Sequence, residues 1–106
     1  MTIPDNVTKI GNNVFSNCES LTTITIPNNV TTIGKGSFNN CTSLTSLTLP
    51  GNVTKIGKNL FNGCTNLTNI TFAGTKAQWE AIEKEDEWNG GMSTNTIHCS
   101  DGDFSW

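Results

Sequence analysis

Residues 21–41, LTTITIPNNVTTIGKGSFNNC, are the stretch that decides the fold. At its start apolar and polar side chains alternate, so that Ile24 and Ile26 face one side of an extended chain and the threonines face the other. Pro27 then ends the predicted strand, because proline has no N–H to offer a sheet ladder. Val30–Ile33 is predicted to be a second extended stretch. One short segment therefore contains two strands joined by a bend.

The second feature is a period of 23 residues, in which nine positions keep their character over three consecutive units. Each unit has one apolar set that it cannot bury alone, and stacking turns every apolar column into a continuous internal ladder. Residues 38–41 are expected to form a short helical or 3₁₀ turn that buries Phe38 and Cys41. The sequence thus predicts a repeat solenoid with a short parallel sheet, built from three units in residues 1–71. The nine columns begin at Ile3, Pro4, Val7, Ile10, Gly11, Phe15, Cys18, Leu21 and Ile24 and recur 23 and 46 residues later.

Residues 72–106 leave the period and are predicted to form a C-terminal cap of one helix and one strand. Thr75 and Gln78 fit a capping box, with Thr75 as the N-cap and Gln78 at the third helical position. The helix is expected from Lys76 to about Glu87, with Trp79 as an anchor on its apolar side. A solenoid needs such a cap because its last unit otherwise exposes the end of the core.

The cap also contains a predicted strand and an acidic run. Thr96–Cys99 is expected to be the final strand of the chain, with Ile97 and Cys99 facing inward. The acidic run from Glu83 to Glu87 has two interpretations, a solvated outer face or a surface for a ligand. Charge runs are usually solvated faces, which favours the first.

The pattern L-x-x-I-x-I-P-x-x-V-x-x-I-G-x-x-x-F-x-x-C resembles the BspA-like, or Treponema-type, leucine-rich repeats over residues 3–72. The segment from Gly74 to Cys99 resembles the C-terminal cap common in these bacterial proteins. The resemblance implies one leucine-rich-repeat domain over the whole chain, an α/β repeat solenoid with right-handed winding. Members often have Ala before the Phe, where this chain has Val14, Ser37 and Leu60, so we expect looser or partly exposed packing there. They are mostly secreted or surface proteins, which implies a surface or secreted parent and a protein or host-surface ligand.

Charge and hydropathy exclude two classes of partner. Residues 1–71 have four Lys and two acids, 4 − 2 = +2, and residues 72–106 have two Lys and seven acids, 2 − 7 = −5. Arg is absent and Lys is not clustered along the sequence, so nucleic-acid binding is not expected. No apolar run reaches about 18 residues, so no membrane insertion is expected. The first residues have no basic start and no apolar core, unlike a signal peptide.

The residue types that could carry chemistry are few. His98 adjoins Cys99, but neighbouring residues of a strand point to opposite faces and should not meet. Cys18, Cys41 and Cys64 share one repeat column without a C-x-x-C pair, so we predict free, buried thiols that act as small hydrophobes. No catalytic residue, metal ligand or cofactor site is expected, and the chain is predicted not to be an enzyme.

A candidate binding face lies on the outward positions of the repeated strand. One interpretation is that these side chains favour strand formation and keep the surface soluble, because threonine is β-branched and polar. Another is that they form a recognition surface. An ice-binding Thr-x-Thr ladder is a third, which Ser46 and Asn69 interrupt. The face is small, about 300 Å², against about 800 Å² per partner in a standard interface. A binding module and a purely structural or engineered repeat segment without its own ligand therefore both stay open. The face consists of Thr23, Thr25, Ser46, Thr48, Asn69 and Thr71.

The N-terminal unit has no preceding cap in the sequence. An uncapped solenoid end is expected to expose a hydrophobic cross-section and an unpaired strand edge, and two-fold association is the commonest way to close such a surface. We therefore expect self-association through the first repeat, the alternative being a monomer whose Met1 to Asp5 segment frays. The residues expected at this surface are Ile3, Val7, Ile10, Phe15 and Leu21.

Overall fold

A computed structural model describes residues 3–92 and 94–105. Within these residues every regular element is short, and one helix stands among the strands. The strands are β1 (Lys9–Ile10), β2 (Thr23–Thr25), β3 (Thr32–Ile33), β4 (Ser46–Leu49), β5 (Lys55–Ile56), β6 (Asn69–Phe72), β7 (Glu83–Lys84), β8 (Thr96–Cys99) and β9 (Gly102–Ser105), and the helix is α1 (Lys76–Ala81).

The strands form two parallel sheets, which confirms the repeat solenoid. One sheet has the order β1-β3-β5-β7 and the other has the order β2-β4-β6-β8-β9, with β9 antiparallel to β8. The register steps by one 23-residue unit, so that Thr23 lies beside Ser46 and Ser46 beside Asn69. The sequence predicted the second extended stretch but only one sheet. The structure shows that this stretch builds a sheet of its own.

A third ladder of backbone hydrogen bonds joins successive turns of the solenoid opposite the strands. The N–H of Phe15 donates to Ser37 O at 2.9 Å, and the N–H of Phe38 donates to Leu60 O at 3.1 Å. The residues at this ladder include two columns with positive φ, which Asn and Gly adopt more readily than other residues. The choice of Asn or Gly at these six positions therefore has a local backbone cause. The positive-φ columns are Asn13, Gly36 and Asn59, and Asn17, Asn40 and Gly63.

The inward side chains of both sheets and of the turn ladder form one hydrophobic core. Phe38 is fully buried between Phe15 and Phe61, with ring centroids 5.5 Å and 6.0 Å away and nearly parallel planes. The aromatic column is therefore a continuous stack along the solenoid axis.

The position before each Phe packs differently from the expectation of loose contact. Ser37 and Leu60 are fully buried, so that expectation is wrong for both, while Val14 is 53% exposed. The Ser37 hydroxyl donates to Gly11 O at 2.7 Å or to Gly34 O at 2.8 Å. Its burial is tolerated because a carbonyl of the preceding turn satisfies the hydroxyl.

The cap helix begins as predicted and ends earlier. The Thr75 side chain accepts from Gln78 N at 3.2 Å and the Gln78 side chain accepts from Thr75 N at 2.8 Å, which confirms the capping box. The predicted extension to Glu87 is wrong, because α1 ends at Ala81 and Glu83–Lys84 forms β7 beside β5. Pairing with the free edge of the first sheet satisfies backbone groups that a solvated helix end would leave to water.

Lys84 closes the end of the first sheet. It lies beside Ile56 in the column whose earlier members are isoleucines. Its Nζ donates to Trp79 O at 2.6 Å and to Ile82 O at 3.2 Å, and it lies 4.7 Å from the Trp79 ring centroid. Burial lowers the pKa of this ammonium, and the nearby Glu80 opposes that shift. A cation thus replaces an apolar residue at the last rung and satisfies the carbonyls at the helix end.

The second sheet also ends differently from the prediction. β8 forms at Thr96–Cys99 with Ile97 fully buried, but Cys99 is only partly buried. β8 is not the final strand, because β9 follows it and pairs with it. The cap shifts the register from 23 residues to 83 − 55 = 28 in the first sheet and 98 − 71 = 27 in the second. The additional residues accommodate α1 while both sheets continue.

Candidate binding face

Two parallel rows of polar side chains cover the outer face of the five-stranded sheet. Along each of β2, β4 and β6, the apolar residue between the two rows points inward and is buried. The structure therefore brings all six predicted face residues onto one surface in register. The first row contains Thr23, Ser46 and Asn69, and the second contains Thr25, Thr48 and Thr71.

The cap extends this face by four residues that the sequence did not assign to it. Thr71 lies beside His98, whose Nδ1 is 2.7 Å from Asp103 Oδ1 on β9. In the same hairpin the hydroxyl oxygens of Thr96 and Ser105 are 3.2 Å apart. Strand alternation already indicated that His98 points outward. β9 gave no comparable signal, because GDFS has no clear alternation.

Three threonines of the repeat donate their hydroxyls to carbonyls of the preceding turn, as Thr45 does to Thr22 O at 3.1 Å and Thr54 to Thr31 O at 3.2 Å. The side chains of the six face residues have no hydrogen-bond partner among the described residues, and neither does that of Thr68, which shares the column of Thr45. The three inter-turn hydroxyls join turns together, and the face residues present hydroxyl and amide groups outward.

The two sheets differ in the charge of their outer faces. The outer row of the first sheet contains Lys9, Thr32, Lys55 and Glu83, and Lys55 Nζ lies 3.5 Å from Glu83 Oε2. The repeat part of the five-stranded face has hydroxyl and amide side chains only, and the carboxylate of Asp103 lies beside His98 at the cap end. The candidate face is therefore neutral and hydrogen-bonding over the three repeat strands.

The cysteine column behaves mainly as a set of core thiols. All four cysteines are free, and Cys41 and Cys64 are fully buried. Their Sγ atoms lie 3.2 Å from Phe15 O and 2.9 Å from Phe38 O as donors. Burial raises the pKa of the Cys41 thiol above 9.0 and that of Cys64 to about 12, so both are held neutral.

Cys18 departs from the prediction of a buried thiol, because it is only partly buried. It belongs to the first turn, where no preceding turn covers it. It lines an open depression of about 540 Å³ together with Asn17, Glu19, Ser20 and Leu21.

The residues considered for chemistry do not assemble into a site. His98 and Cys99 follow each other on β8, with His98 on the outer face beside Asp103. Among the described residues no group of three or more His, Cys, Asp or Glu is placed to hold a metal ion. In the same part of the chain no helix is long and apolar enough to cross a membrane.

The open end of the first turn is less apolar than expected. The side chains of Ile3, Ile10, Phe15 and Leu21 are between 3% and 9% exposed, so the predicted hydrophobic cross-section is wrong for these four. Val7 is partly buried, and among the described residues Val14 is the large apolar side chain that is exposed. Inward side chains point across the solenoid, perpendicular to the direction in which strands pair. A missing neighbour therefore uncovers mainly backbone edges, which β1 and β2 do present.

Stacked turns with two parallel sheets define a leucine-rich-repeat solenoid. Residues 1–85 match the family described as the BspA type leucine rich repeat region, in six copies, and the chain belongs to this family. It is also similar to a leucine rich cell surface protein from Faecalibacterium prausnitzii A2-165, with 36% sequence identity and a TM-score of 0.76. That similarity covers 79% of this chain and 22% of the other, so the chain spans about a fifth of that protein's length. No curated protein matches the chain.

Proposed function

We propose that this chain is a non-catalytic binding module of a bacterial cell-surface protein, and that it contacts its ligand through the outer face of the five-stranded sheet. The observation that carries the proposal is the contrast between two sets of polar side chains. The hydroxyls of inter-turn threonines such as Thr45 and Thr54 donate to backbone carbonyls. The hydroxyl and amide groups of the outer rows have no hydrogen-bond partner among the described residues. A donor that is buried or already hydrogen-bonded within the protein would contribute nothing to recognition.

The proposed cell-surface location is supported by similarity rather than by a feature of the site. The F. prausnitzii protein is a leucine rich cell surface protein, and a surface protein meets other proteins and glycans. A neutral face of hydroxyl and amide groups suits ligands recognised through hydrogen bonds, and the absence of Arg makes polyanions poor candidates.

A spacer without a ligand is the second candidate, and the size of the face favours it. Five strands at about 4.8 Å spacing and up to about 13 Å long give roughly 250–300 Å². A standard interface needs about 800 Å² from each partner. We therefore propose that the face supplies one part of a larger contact, so that measurable binding requires several copies.

The test is retention of a tetravalent, tagged form of the chain on immobilised extracellular-matrix proteins and neutral glycans. The face variant combines Thr48→Lys and Thr71→Lys, which add charge and length to adjacent positions of one row. The control combines Thr42→Lys and Thr65→Lys, the same substitutions at exposed positions outside both sheets.

Binding by the face predicts that the wild type and the control are retained on the same probes, and that the face variant is retained at least tenfold less. Equal retention of all three forms would place the contact elsewhere. Failure of the wild type to bind any probe would favour the spacer.

A further inference from the structure

Two asparagines of the chain are followed directly by glycine, in Asn62–Gly63 and in Asn89–Gly90. Asparagine is a thermolabile residue. It reacts most readily before glycine, because glycine has no Cβ to hinder the approach of its own backbone nitrogen to the amide carbon of the asparagine. By sequence the two dipeptides are equivalent, so any difference in their reactivity has to come from the fold.

The fold leaves both reacting groups of Asn62–Gly63 without a partner. The Asn62 side chain is exposed and has no hydrogen-bond partner among the described residues. Within the same residues the backbone N–H of Gly63 has none either. Gly63 is in the left-handed region with a φ of +83°, at a turn between two buried residues. The amide carbon and the nitrogen that can attack it are therefore accessible without breaking a hydrogen bond of the fold.

Asn89–Gly90 lies in more protective surroundings in the cap. Its asparagine is partly buried, and the N–H of Gly90 donates to Glu87 O at 3.1 Å. The carboxylate of Glu87 is also close, since a Cβ on Gly90 would lie 3.0 Å from Glu87 Oε2. A negative charge at this distance opposes the loss of a proton from the Gly90 nitrogen. Reaction at Asn89 therefore requires this part of the cap to open first.

We propose that Asn62 is a site of spontaneous deamidation in the folded chain, with water as the co-reactant. The Gly63 nitrogen loses its proton to the solvent, and its electron pair forms a bond to Asn62 Cγ. The bond from Cγ to Nδ2 breaks, and that nitrogen takes up a proton and leaves as ammonia. Water then opens the resulting five-membered imide at one of its two carbonyls. The products are aspartate and isoaspartate, and the reaction involves no oxidation or reduction.

The isoaspartate product changes the backbone at the third ladder of hydrogen bonds. Asn62 O accepts from Asn40 N at 2.7 Å, which joins the third turn to the second. In isoaspartate the main chain runs through Cβ and Cγ, so it is one carbon longer and this oxygen becomes part of a free carboxylate. The turns have no room for the longer chain, because even a Cβ on Gly63 would collide with Asn40 Oδ1. We expect isoaspartate at position 62 to separate the two turns locally, whereas aspartate should leave the backbone unchanged.

The test incubates the folded chain in mildly alkaline buffer and follows both asparagines by peptide mapping with mass spectrometry. We expect Asn62 to be converted at least roughly tenfold faster than Asn89, because local opening has to precede reaction only at Asn89. In urea, where the fold no longer distinguishes the two dipeptides, the rates should converge. Asn62→Gln should abolish conversion at position 62, because its longer side chain forms the cyclic imide much more slowly.

Urea melting then distinguishes the products. The isoaspartate fraction should unfold at a lower urea concentration than the unmodified chain. Freshly prepared Asn62→Asp, which has the added charge but a normal backbone, should have the midpoint of the unmodified chain, as should Asn62→Gln. Equal rates at the two asparagines of the folded chain, or faster conversion of Asn89, would overturn the proposal. A folded chain in which neither reacts, while both react in urea, would also overturn it, since the fold would then protect Asn62.

Discussion

At the scale of single residues, each recurring position meets one physical requirement. Asn and Gly occupy the positive-φ columns, because an asparagine there costs little and a β-branched residue would cost more. The buried Ser37 stands in a column with Val14 and Leu60 because its hydroxyl reaches a carbonyl of the neighbouring turn. The repeat therefore tolerates different residues in a column when each satisfies the same geometry.

The aromatic column gives the first prediction. Phe38→Ala should lower the free energy of unfolding by about 3–5 kcal/mol, because Phe38 is fully buried and stacked on both sides. Phe15→Ala should cost less, because Phe15 is 9% exposed and stacks on one neighbour. Urea melting of both variants measures the difference. Equal losses would show that the stack does not distinguish an interior turn from an end turn.

The thiol column gives the second prediction. In native alkylation followed by mass spectrometry, Cys18 should be modified first, and Cys41 and Cys64 only after urea is added. Because burial raises the pKa of Cys64 to about 12, its stabilising contribution is complete below about pH 9 and is lost as the pH rises toward 12. Native modification of Cys64 as fast as Cys18, or an intact disulfide, would contradict this.

At the scale of elements, the strands are too short to be stable alone. Each strand of the first sheet consists of only two residues. Stability comes from the contact between turns, where three backbone ladders and the side-chain donors of one turn reach the next. The cap uses the same contacts: β7 and β8 extend the two sheets, and Trp88 O accepts from Phe61 N at 3.4 Å in the third ladder.

The closeness of the turns gives the third prediction. Gly57→Ala should destabilise the chain by about 1–3 kcal/mol, because its Cβ would lie 2.4 Å from the Lys35 backbone nitrogen. Gly11→Ala should be neutral or slightly stabilising, because its Cβ meets only Val14 at an ordinary contact distance. Thermal melts of the two variants form a matched pair. A harmless Gly57→Ala would mean that the turns separate more easily than the structure indicates.

At the scale of the whole molecule, the repeats and the cap share one core. Trp79 lies 5.5 Å from Phe72 and 5.5 Å from Trp88 in ring-centroid distance, so the cap aromatics continue from the last repeat strand. Both sheets also run from the first turn into the cap. No boundary at residue 72 separates two independent hydrophobic clusters in the described chain.

This continuity gives the fourth prediction. All three tryptophans lie in residues 72–106, so their fluorescence reports the cap, while the circular dichroism of the sheets reports mainly the repeats. We expect both signals to change at the same urea concentration, and Phe38→Ala to lower both midpoints equally. Separate midpoints would show that the cap unfolds independently of the repeats.

The sequence by itself determined the solenoid, its period and the inward columns, because stacking makes every turn repeat the same local pattern. It also determined the six outward positions of the candidate face and the capping box at Thr75, since strand alternation and helix capping are local rules. The BspA-type assignment rested on the same columns, which the family match over residues 1–85 confirmed.

Only the tertiary structure decided features that depend on contacts distant in the chain. α1 stops at Ala81 because a sheet edge is available for Glu83–Lys84, which no local signal reports. His98 and Asp103 join the face because β9 folds back on β8. The first turn keeps its apolar side chains covered and leaves the backbone edges of β1 and β2 unpaired, because inward side chains point across the solenoid while strands pair along it.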